Sequence, residues 1–393
     1  MAQKLKFGNG TWATKKGSTL AYNDENNNYK PLPFTTTRNS IGTRVNKDGL
    51  IEVVGNDVPR IDYTDSIEGA LLLENSATNL YSYSNKSSEW FKTDWTTTDN
   101  YAISPDGTQN AFRAVSLNNS GILYQTATGA SGVNTLSVYA KSNTSTNQKF
   151  RFFANGLTLT SDDFTVTNEW KRIEFSYTFS SVTSGIKAAS NELSDILFFG
   201  FQHEVNDFAT SYIPTSGSSV TRQADTATGS GNSEVFNDSE GVLFADISAL
   251  TGAGGGTRRI EVSNSVSASQ YVRLQIANGD GSLYGIVNNG TQQFLFNTTS
   301  FNATLSNKIS LKYKQNDFSL FLNGFEVGSS NVGNTFANGI LTQANFSSTA
   351  SEFYGKAKEI GYYDEILTDL ELETLTSYRS LNELVTELNL NTL

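Results

Sequence analysis

Short runs in which apolar and polar residues alternate recur along most of the chain, and they constrain its fold more than any other feature. Residues 136–140, 149–153 and 170–177 are three of these runs. Alternation with a period of two residues is typical of β-strands that bury one face. Tight-turn sequences lie between such runs, at residues 104–107 and at Asn155 and Gly156. Because no helical pattern separates the strands, the sequence predicts an all-β fold made of antiparallel β-sandwiches.

The chain is polar without being highly charged. Of its 393 residues, 37% are hydrophobic, 12% are aromatic and only 17% are charged. Much of the remainder is Ser, Thr, Asn and Gly, which suit the turns between short strands. The length exceeds that of one sandwich and therefore predicts at least two hydrophobic cores.

Charge and rare residues exclude several classes of function. A net charge of −11 argues against a nucleic-acid partner, since phosphate backbones select clustered Lys and Arg. The absence of cysteine excludes disulfides and thiolate metal sites. No apolar run approaches the roughly 18 residues of a membrane span, and the N-terminus lacks the apolar segment of a secretory signal. The one histidine, His203, shares a strand face with Phe199 and Phe201, which predicts a packed side chain, with a catalytic base as the alternative.

Two groups of motifs bracket the first half of the chain. The later group consists of Gly200, Gln202 and Glu204, then residues 209–215, then Thr221, Arg222, Ala224 and Asp225. The earlier group consists of Arg60, Asp62 and Tyr63, then residues 69–74, then residues 78–80, with Tyr83, Ser84 and Trp90 after them. Together they resemble a jelly-roll module of bacteriophage tail, fibre and head-decoration proteins. The family's usual Pro-Gln-Arg is replaced here by residues 75–77, so a contact made by that arginine is not expected.

A different resemblance covers the second half. Residues 318–327 read as a hairpin that turns at Asn323 and Gly324, and residues 355–363 and 367–371 follow. These segments resemble the concanavalin A-like, laminin-G-type sandwich. Hydroxyl and glutamate residues three positions apart, Thr368 with Glu371 and Ser380 with Glu383, predict helix starts near the C-terminus.

These patterns predict five regions and two tandem antiparallel β-sandwiches. The regions are an extended N-terminal attachment arm at 1–60, a jelly-roll carbohydrate-binding-like module at 61–225, a linker at 226–239, a concanavalin A-like or laminin-G-like sandwich at 240–378 and a short C-terminal helical segment at 379–393. The apolar stripe of the last segment is expected to cover its own sandwich, with an oligomer contact as the alternative.

The resemblance to phage proteins implies a function as well as a fold. It implies a non-enzymatic virion surface protein, either a head fibre or decoration protein or a tail fibre, that is made in the host cytoplasm. Its arm would bind other virion proteins, it would assemble as a homotrimer, and it would bind glycans of the host surface or of mucus by avidity. A glycan lyase or hydrolase and a purely structural capsid or tail protein are the alternatives. Carboxylates available to such an enzyme are Asp162, Asp163, Asp195, Asp364 and Glu365.

Sugars are bound by aromatic rings that contact their C–H faces and by polar side chains that bind their hydroxyls. The carbohydrate-binding candidates are Trp90, Trp95 and Tyr101 in the first module and Asn288 and Asn289 in the second. Trp90 has a core position as its alternative. No cofactor is predicted except for a calcium ion that laminin-G-type folds often hold. Asp280 is its candidate ligand, although the turn around Asp280 accounts for this residue equally well.

Overall fold

The computed structural model describes residues 3–21, 30–127, 131–154, 158–178, 183–250, 257–265, 268–277, 281–348 and 351–387. The chain forms two compact units. Unit 1 consists of Met1–Asn39, Gly55–Asn75 and Ala224–Leu393, and unit 2 consists of Ser40–Val54 and Ser76–Gln223. Neither helix of the described residues is long and apolar enough to cross a membrane.

The elements are short strands and two C-terminal helices. The strands up to residue 126 are β1 (Gln3–Gly8), β2 (Thr14–Lys15), β3 (Ser18–Ala21), β4 (Leu32–Thr37), β5 (Gly42–Val45), β6 (Ile51–Val54), β7 (Arg60–Asp62), β8 (Ala70–Leu73), β9 (Ala77–Asn79), β10 (Phe91–Thr93), β11 (Trp95–Ala102), β12 (Ala111–Ser116) and β13 (Ile122–Thr126). Those up to residue 249 are β14 (Val133–Ser142), β15 (Gln148–Ala154), β16 (Leu159–Thr160), β17 (Phe164–Val166), β18 (Lys171–Thr178), β19 (Thr183–Ala188), β20 (Asp195–Glu204), β21 (Val220–Arg222), β22 (Thr226–Thr228) and β23 (Glu240–Ala249). The rest are β24 (Arg258–Ser263), β25 (Gln270–Ile276), β26 (Leu283–Asn289), β27 (Gln292–Thr298), β28 (Asn307–Lys314), β29 (Asp317–Leu322), β30 (Phe325–Ser330), β31 (Gln343–Asn345), β32 (Ser347–Ser348), β33 (Ser351–Glu352), β34 (Gly355–Tyr363), α1 (Asp369–Thr376) and α2 (Leu381–Glu387).

Unit 2 is a β-sandwich of two antiparallel sheets. One sheet, here the β13 sheet, has the order β10-β13-β19-β15-β16, with β17 also paired to β15. The other, the β20 sheet, has the order β11-β12-β20-β14-β18. Phenylalanines from both sheets, among them Phe112, Phe150 and Phe198, are buried in one core, as alternation along the strands requires. The β5–β6 hairpin places Ile51 against Phe199 in a smaller cluster that also contains Tyr212.

Unit 1 is a second sandwich. Its larger sheet, the β28 sheet, has the order β30-β29-β28-β23-β34-β8-β7, with β1 also paired to β34. The smaller sheet has the order β27-β26-β25-β24-β31, and a four-stranded sheet β2-β3-β4-β22 adds to the same unit. Every named pairing in both units is antiparallel, so the predicted all-β class with two antiparallel sandwiches is confirmed.

The C-terminal helices belong to unit 1. Thr368 and Glu371 form the predicted capping box at the start of α1, and Leu372 of this helix is buried with Val242 and Phe321 of the β28 sheet. Glu383 of α2 accepts a hydrogen bond from Lys308 Nζ at 2.5 Å. In the predicted helical segment, Leu381 is 67% exposed, Leu384 and Val385 are half-buried, and Leu388 lies outside the described residues. The covering of its own sandwich by this stripe therefore stays a prediction, with the oligomer contact as the alternative.

The boundaries of the compact units differ from the predicted regions. Residues predicted as an extended arm at 1–60 instead supply β1, whose Phe7 lies in the unit 1 core and which pairs with β34 over Gln3–Gly8. The predicted linker at 226–239 supplies β22, which pairs with β4, and buries Phe236. Removing the apolar surface of Phe7 and Phe236 from water is favourable. Both segments therefore pack into the sandwich instead of remaining extended.

The motif residues Arg60, Glu74 and Asp225 form a buried network with Arg38. Arg60 Nη1 donates to Glu74 Oε2 at 2.7 Å and its Nη2 to Asp225, while Arg38 Nη1 donates to Asp225 Oδ1 at 3.0 Å. All four side chains are almost completely buried. Burial alone would lower the pKa of Arg60, but the charges of Asp225 and Glu74 raise it above its ordinary value. These motif residues therefore hold the fold of unit 1 together.

Other motif residues form a second network of hydrogen bonds, in unit 2. Glu204 accepts hydrogen bonds from the Thr210 hydroxyl at 2.6 Å and from Gln202 Nε2 at 2.7 Å. Gln202 Oε1 accepts from the amide of Ile213 at 2.6 Å. Asn79 Nδ2 donates to the carbonyl of Ile213 at 2.9 Å. The segment after β20 is thus held at each end by side chains of the motifs.

Candidate functional site

The two tryptophans predicted to bind sugar lie in the core of unit 2. Trp90 and Trp95 are each 4% exposed, and both belong to the cluster between the two sheets. The Trp90 ring contacts Tyr81 and Phe201 at centroid distances of 5.3 and 4.5 Å. A ring enclosed in this way has no face to offer to a sugar. The prediction is therefore corrected for both residues, and Trp90 takes the core position given as its alternative.

The other residues predicted to bind sugar belong to different units. Tyr101 is 43% exposed on β11, with the Arg113 guanidinium 5.3 Å from its ring centre. Asn288 and Asn289 end β26, and their side-chain oxygens accept hydrogen bonds from the amides of the turn that follows, at Gly290 and Thr291. Turn geometry accounts for both asparagines, and they lie in the other unit from Tyr101.

The calcium prediction concerns a residue that is not described, because Asp280 lies outside the described residues. Within the described ranges no group of three or more Asp, Glu or His side chains is arranged to hold a metal ion.

His203 is a packed histidine, as predicted. Its Nδ1 lies 3.1 Å from Ser184 Oγ, and its Nε2 lies 3.0 Å from Asn134 Oδ1 and 3.2 Å from Tyr177 Oη. Burial lowers the pKa of His203 from 6.5 to about 4, so the ring is neutral at pH 7.

Carboxylates proposed for the alternative enzyme form ion pairs. Asp195 accepts two hydrogen bonds from Arg113, at 2.8 and 2.6 Å, which lower the pKa of the carboxyl group. Asp163 accepts from the amide of Ser190 and lies 3.5 Å from the Arg151 guanidinium. Both side chains thus have structural partners.

A pocket of about 560 Å³ in unit 2 has the composition of a ligand site. It is called the Tyr83 pocket here and is lined by Ile41, Tyr83, Ser84, Asn85, Lys86, Asp99, Asn100, Asn110, Tyr212, Pro214, Thr215 and Ser216. Its lining combines aromatic and apolar groups with amide, hydroxyl and charged groups. A mostly preformed cavity with a few converging polar groups is typical of small-ligand sites.

Hydrogen bonds fix the walls of the Tyr83 pocket. Tyr83 and Ser216 form an isolated β-bridge. Ser84 Oγ lies 2.7 Å from the Tyr212 hydroxyl and accepts from the amide of Thr215 at 3.0 Å. Asn85 Nδ2 also donates to the Tyr212 hydroxyl, at 3.0 Å. With its shape set by these bonds, the pocket is preorganised, which reduces the ordering cost of binding.

Two polar atoms of the lining are buried without a hydrogen-bond partner among the described residues. They are the Oδ1 of Asn110 and the hydroxyl of Thr215, which is itself only 7% exposed. Asn110 Nδ2 donates to Asp106 at 2.7 Å, so its carbonyl oxygen alone remains without a partner. Buried polar groups are nearly always satisfied, so each of these two atoms calls for an explanation, for which a polar ligand or a water molecule is one.

The charged groups at the pocket are engaged or exposed. Burial alone would raise the pKa of Asp99, but hydrogen bonds from Ser87 and Ser88 lower it below its ordinary value. These bonds come from the turn at Ser87–Glu89 and from the side chain of Ser87. Asp99 is the sole carboxylate in the described lining, and its two oxygens are occupied. Lys86 is exposed and lies 5.7 Å from the Tyr83 ring centre.

Sequence reasoning missed this pocket, although the motifs pointed toward it. Tyr83 and Ser84 follow the first motif group, and Tyr212, Pro214 and Thr215 belong to the second. The two groups meet in the structure through the bridge at Tyr83. The motif positions could therefore have indicated the pocket, whereas a search for exposed tryptophans could not.

No family model matches the chain, and no curated protein matches its sequence. Similar solved structures include a CBM40 of Ruminococcus gnavus IT-sialidase bound to α2,3-sialyllactose, with 17% identity over 36% of this chain and 84% of that one and a TM-score of 0.31. Domains LG4-5 of the mouse laminin α1 chain share 11% identity over 71% and 91%, with a TM-score of 0.26. The CBM22-1–CBM22-2 tandem domain of Paenibacillus barcinonensis Xyn10C shares 11% over 74% and 99%, with a TM-score of 0.27. These TM-scores are low, so the fold class rests on the strand topology given above.

Proposed function

We propose that the protein is a non-enzymatic glycan-binding protein and that the Tyr83 pocket is its ligand site. The observation that carries this proposal is the pair of buried, unpartnered polar atoms, Asn110 Oδ1 and Thr215 Oγ1, in a pocket that also has aromatic and apolar walls. A saccharide has both complementary surfaces, because its hydroxyls donate and accept hydrogen bonds while its C–H faces pack on rings.

Thr215→Val tests the pocket with little change of shape. The hydroxyl has no partner among the described residues, so its removal should leave the free energy of unfolding unchanged or slightly higher. Glycan binding should weaken by about two- to tenfold, the value of one hydrogen bond. The measurement is a titration with the strongest ligand found in a glycan array, together with thermal unfolding of both proteins.

Thr98→Val is the matched control, because Thr98 is exposed in the same unit but outside the lining. It should bind glycan like the wild type. Unchanged binding by Thr215→Val would remove the support for this site. A loss of stability in step with a loss of binding would assign the hydroxyl a structural role instead.

The absence of catalysis is part of the proposal. The one carboxylate of the described lining, Asp99, is fully hydrogen-bonded, whereas glycoside hydrolysis uses a pair of free carboxyl groups. Incubation with capsule polysaccharide should release no reducing ends or unsaturated products. Release in proportion to protein concentration would support the depolymerase alternative instead.

The setting of this activity is proposed from the motifs quoted above, which resemble those of phage surface proteins. We place the protein on a phage particle, as a head fibre or decoration protein or as a tail fibre, in contact with other virion proteins and assembled as a homotrimer. Weak single sites would then act by avidity, since linked copies raise the effective concentration. Immunogold electron microscopy of particles and the mass of the purified protein in solution test this. Unlabelled particles would contradict the location on the virion. A stable monomer would contradict the homotrimer.

A further inference from the structure

Unit 1 carries a groove between the β29–β30 hairpin and the two C-terminal helices, here called the Phe325 groove. Its volume is about 580 Å³. Its lining includes Phe325 from the hairpin, Glu373 from α1, Tyr378 from the connection between the helices, and Leu381 and Leu384 from α2. Most of these side chains are aromatic or aliphatic, so the groove is an apolar depression at the surface of unit 1.

Large apolar side chains stand open to solvent at this groove. Phe325 is 74% exposed and Leu381 is 67% exposed, and both line the same cavity. Leu370 is 72% exposed and lies one turn before Glu373 on the same face of α1. Exposure of apolar surface costs free energy, and adjoining apolar groups that remain exposed mark a site of contact with another molecule.

The helix α2 is held by polar bonds and not by an apolar core. Within the described part of the chain, none of its side chains belongs to a hydrophobic cluster. Its attachments are the bond from Lys308 to Glu383 and the bond from the amide of Glu383 to Ser380 Oγ at 3.1 Å. A helix of seven residues is marginal without packing, so covering its leucines would stabilise it.

The groove is preformed. The amide of Gly324 donates to Thr376 Oγ1 at 3.1 Å, and Ser377 Oγ donates to the carbonyl of Glu373 at 2.7 Å. Gly324 has a φ of +88°, and an added Cβ would lie 2.6 Å from Ser377 Oγ. The hairpin turn therefore lies directly against the end of α1. A groove with fixed walls loses little conformational entropy when it is filled.

Charges of both signs remain uncompensated at this surface. Glu373 lines the groove, and Arg379 lies between the lining residues Tyr378 and Ser380. Both side chains are exposed, and neither forms an ion pair with the described residues of the chain. A copy of the same chain offers the matching set, namely a carboxylate, a guanidinium and an exposed aromatic ring. A net charge of −11 disfavours contact between copies except where the charges balance.

We propose that copies of this chain assemble through the Phe325 groove, an inference that rests on the homotrimer of the proposed function. In a ring of three, the Phe325 ring of each copy enters the groove of the next one, and Glu373 pairs with Arg379 of the partner subunit. Such a head-to-tail contact repeats around the three-fold axis and closes the ring. It removes the exposed apolar groups from water and compensates both charges.

Sedimentation velocity of the full chain over a range of concentrations tests this contact. The wild type should sediment with the mass of three chains. Phe325→Ala, Glu373→Arg and Arg379→Glu should each raise the concentration at which half of the trimer dissociates by about tenfold or more. The double variant Glu373→Arg/Arg379→Glu should regain most of this loss, because the pair forms again with its signs reversed.

Glu234→Arg is the matched control, since it makes the same change of charge at an exposed residue of unit 1 outside the groove. It should assemble like the wild type, and circular dichroism should show every variant folded. A monomeric wild type would contradict the homotrimer and this contact together. A trimer that persists in all three single variants, or a double variant that dissociates as readily as they do, would overturn the contact surface alone.

Discussion

At the scale of single residues, the buried polar groups of unit 2 fall into two kinds. The side-chain polar groups of His203 and Glu204 each have several hydrogen-bond partners and stabilise the fold. Those of Asn110 and Thr215 lack a partner and lie at the pocket, whereas Trp95 Nε1 and Asn206 Nδ2 lack one elsewhere in the unit. Residue type does not distinguish the two kinds, since only the three-dimensional surroundings decide whether a partner is present. The sequence could therefore predict a packed His203 from its strand, but it could not show that the Thr215 hydroxyl lacks a partner.

The buried histidine predicts how stability depends on pH. The pKa of His203 is about 4 in the folded chain and 6.5 ordinarily, so between these values the unfolded chain binds a proton that the folded chain does not. Lowering the pH from 6.5 to 4 should therefore cost unit 2 about 3 kcal/mol of stability through this residue. Urea unfolding followed by tryptophan fluorescence measures it, because three of the four tryptophans, Trp90, Trp95 and Trp170, belong to unit 2.

His203→Gln is the comparison for this measurement. Other titrating groups contribute alike to both proteins and cancel in the difference. The variant should lose about 3 kcal/mol less than the wild type over the same pH range, whatever its stability at pH 7. Parallel losses in the two proteins would show that His203 titrates normally in the folded chain.

The corrected tryptophan makes a second residue-scale prediction. Trp90→Ala removes a ring that is packed between Tyr81 and Phe201, so it should lower the stability of unit 2 by about 3–5 kcal/mol. Tyr101→Ala, on an exposed ring, should cost about 1 kcal/mol or less. Thermal unfolding followed by circular dichroism checks both. Similar stabilities for the two variants would mean that the Trp90 ring lies at the surface and not in the core.

At the scale of elements, the alternation of apolar and polar residues predicts strands that bury one face. It does not predict which strands pair when they are far apart in the sequence. Strand β18 alternates in burial as its sequence run predicts, whereas β14, predicted from a similar run, is buried on both faces along most of its length. By contrast, β22 is Thr-Ala-Thr and pairs with a threonine-rich part of β4, where Thr37 and Thr226 are 189 positions apart. So short a strand has no detectable period, and its partner is set by the sandwich as a whole. For this reason the sequence predicts an arm at residues 1–60 and a linker at 226–239, although both segments supply strands.

The buried ion pairs make the element-scale prediction. Asp225 compensates Arg38 and Arg60 in the core of unit 1. Asp225→Asn leaves two buried guanidinium groups with one carboxylate and should lower the stability of unit 1 by about 3–5 kcal/mol. The control is Glu240→Gln, which removes a more exposed pair with Lys314 and should cost less than about 1 kcal/mol. Calorimetric unfolding of both variants measures their losses of stability. Equal losses would mean that the network is not essential to unit 1.

At the scale of the whole molecule, two all-β units supply rigid frames, and the proposed glycan site lies on unit 2. The described lining of this site contains no free pair of carboxylates. Glycan binding without turnover is therefore expected, weak at each site and stronger when many copies are displayed together. The rest of this proposal depends on the claim that a glycan occupies the Tyr83 pocket.

A crystal structure of the protein with the strongest array ligand soaked in tests that claim most directly. Sugar density is expected in the Tyr83 pocket, with hydroxyls within about 3.2 Å of Asn110 Oδ1 and Thr215 Oγ1. Density for the ligand elsewhere on the chain, with these two atoms still without a partner or bonded only to water, would contradict it.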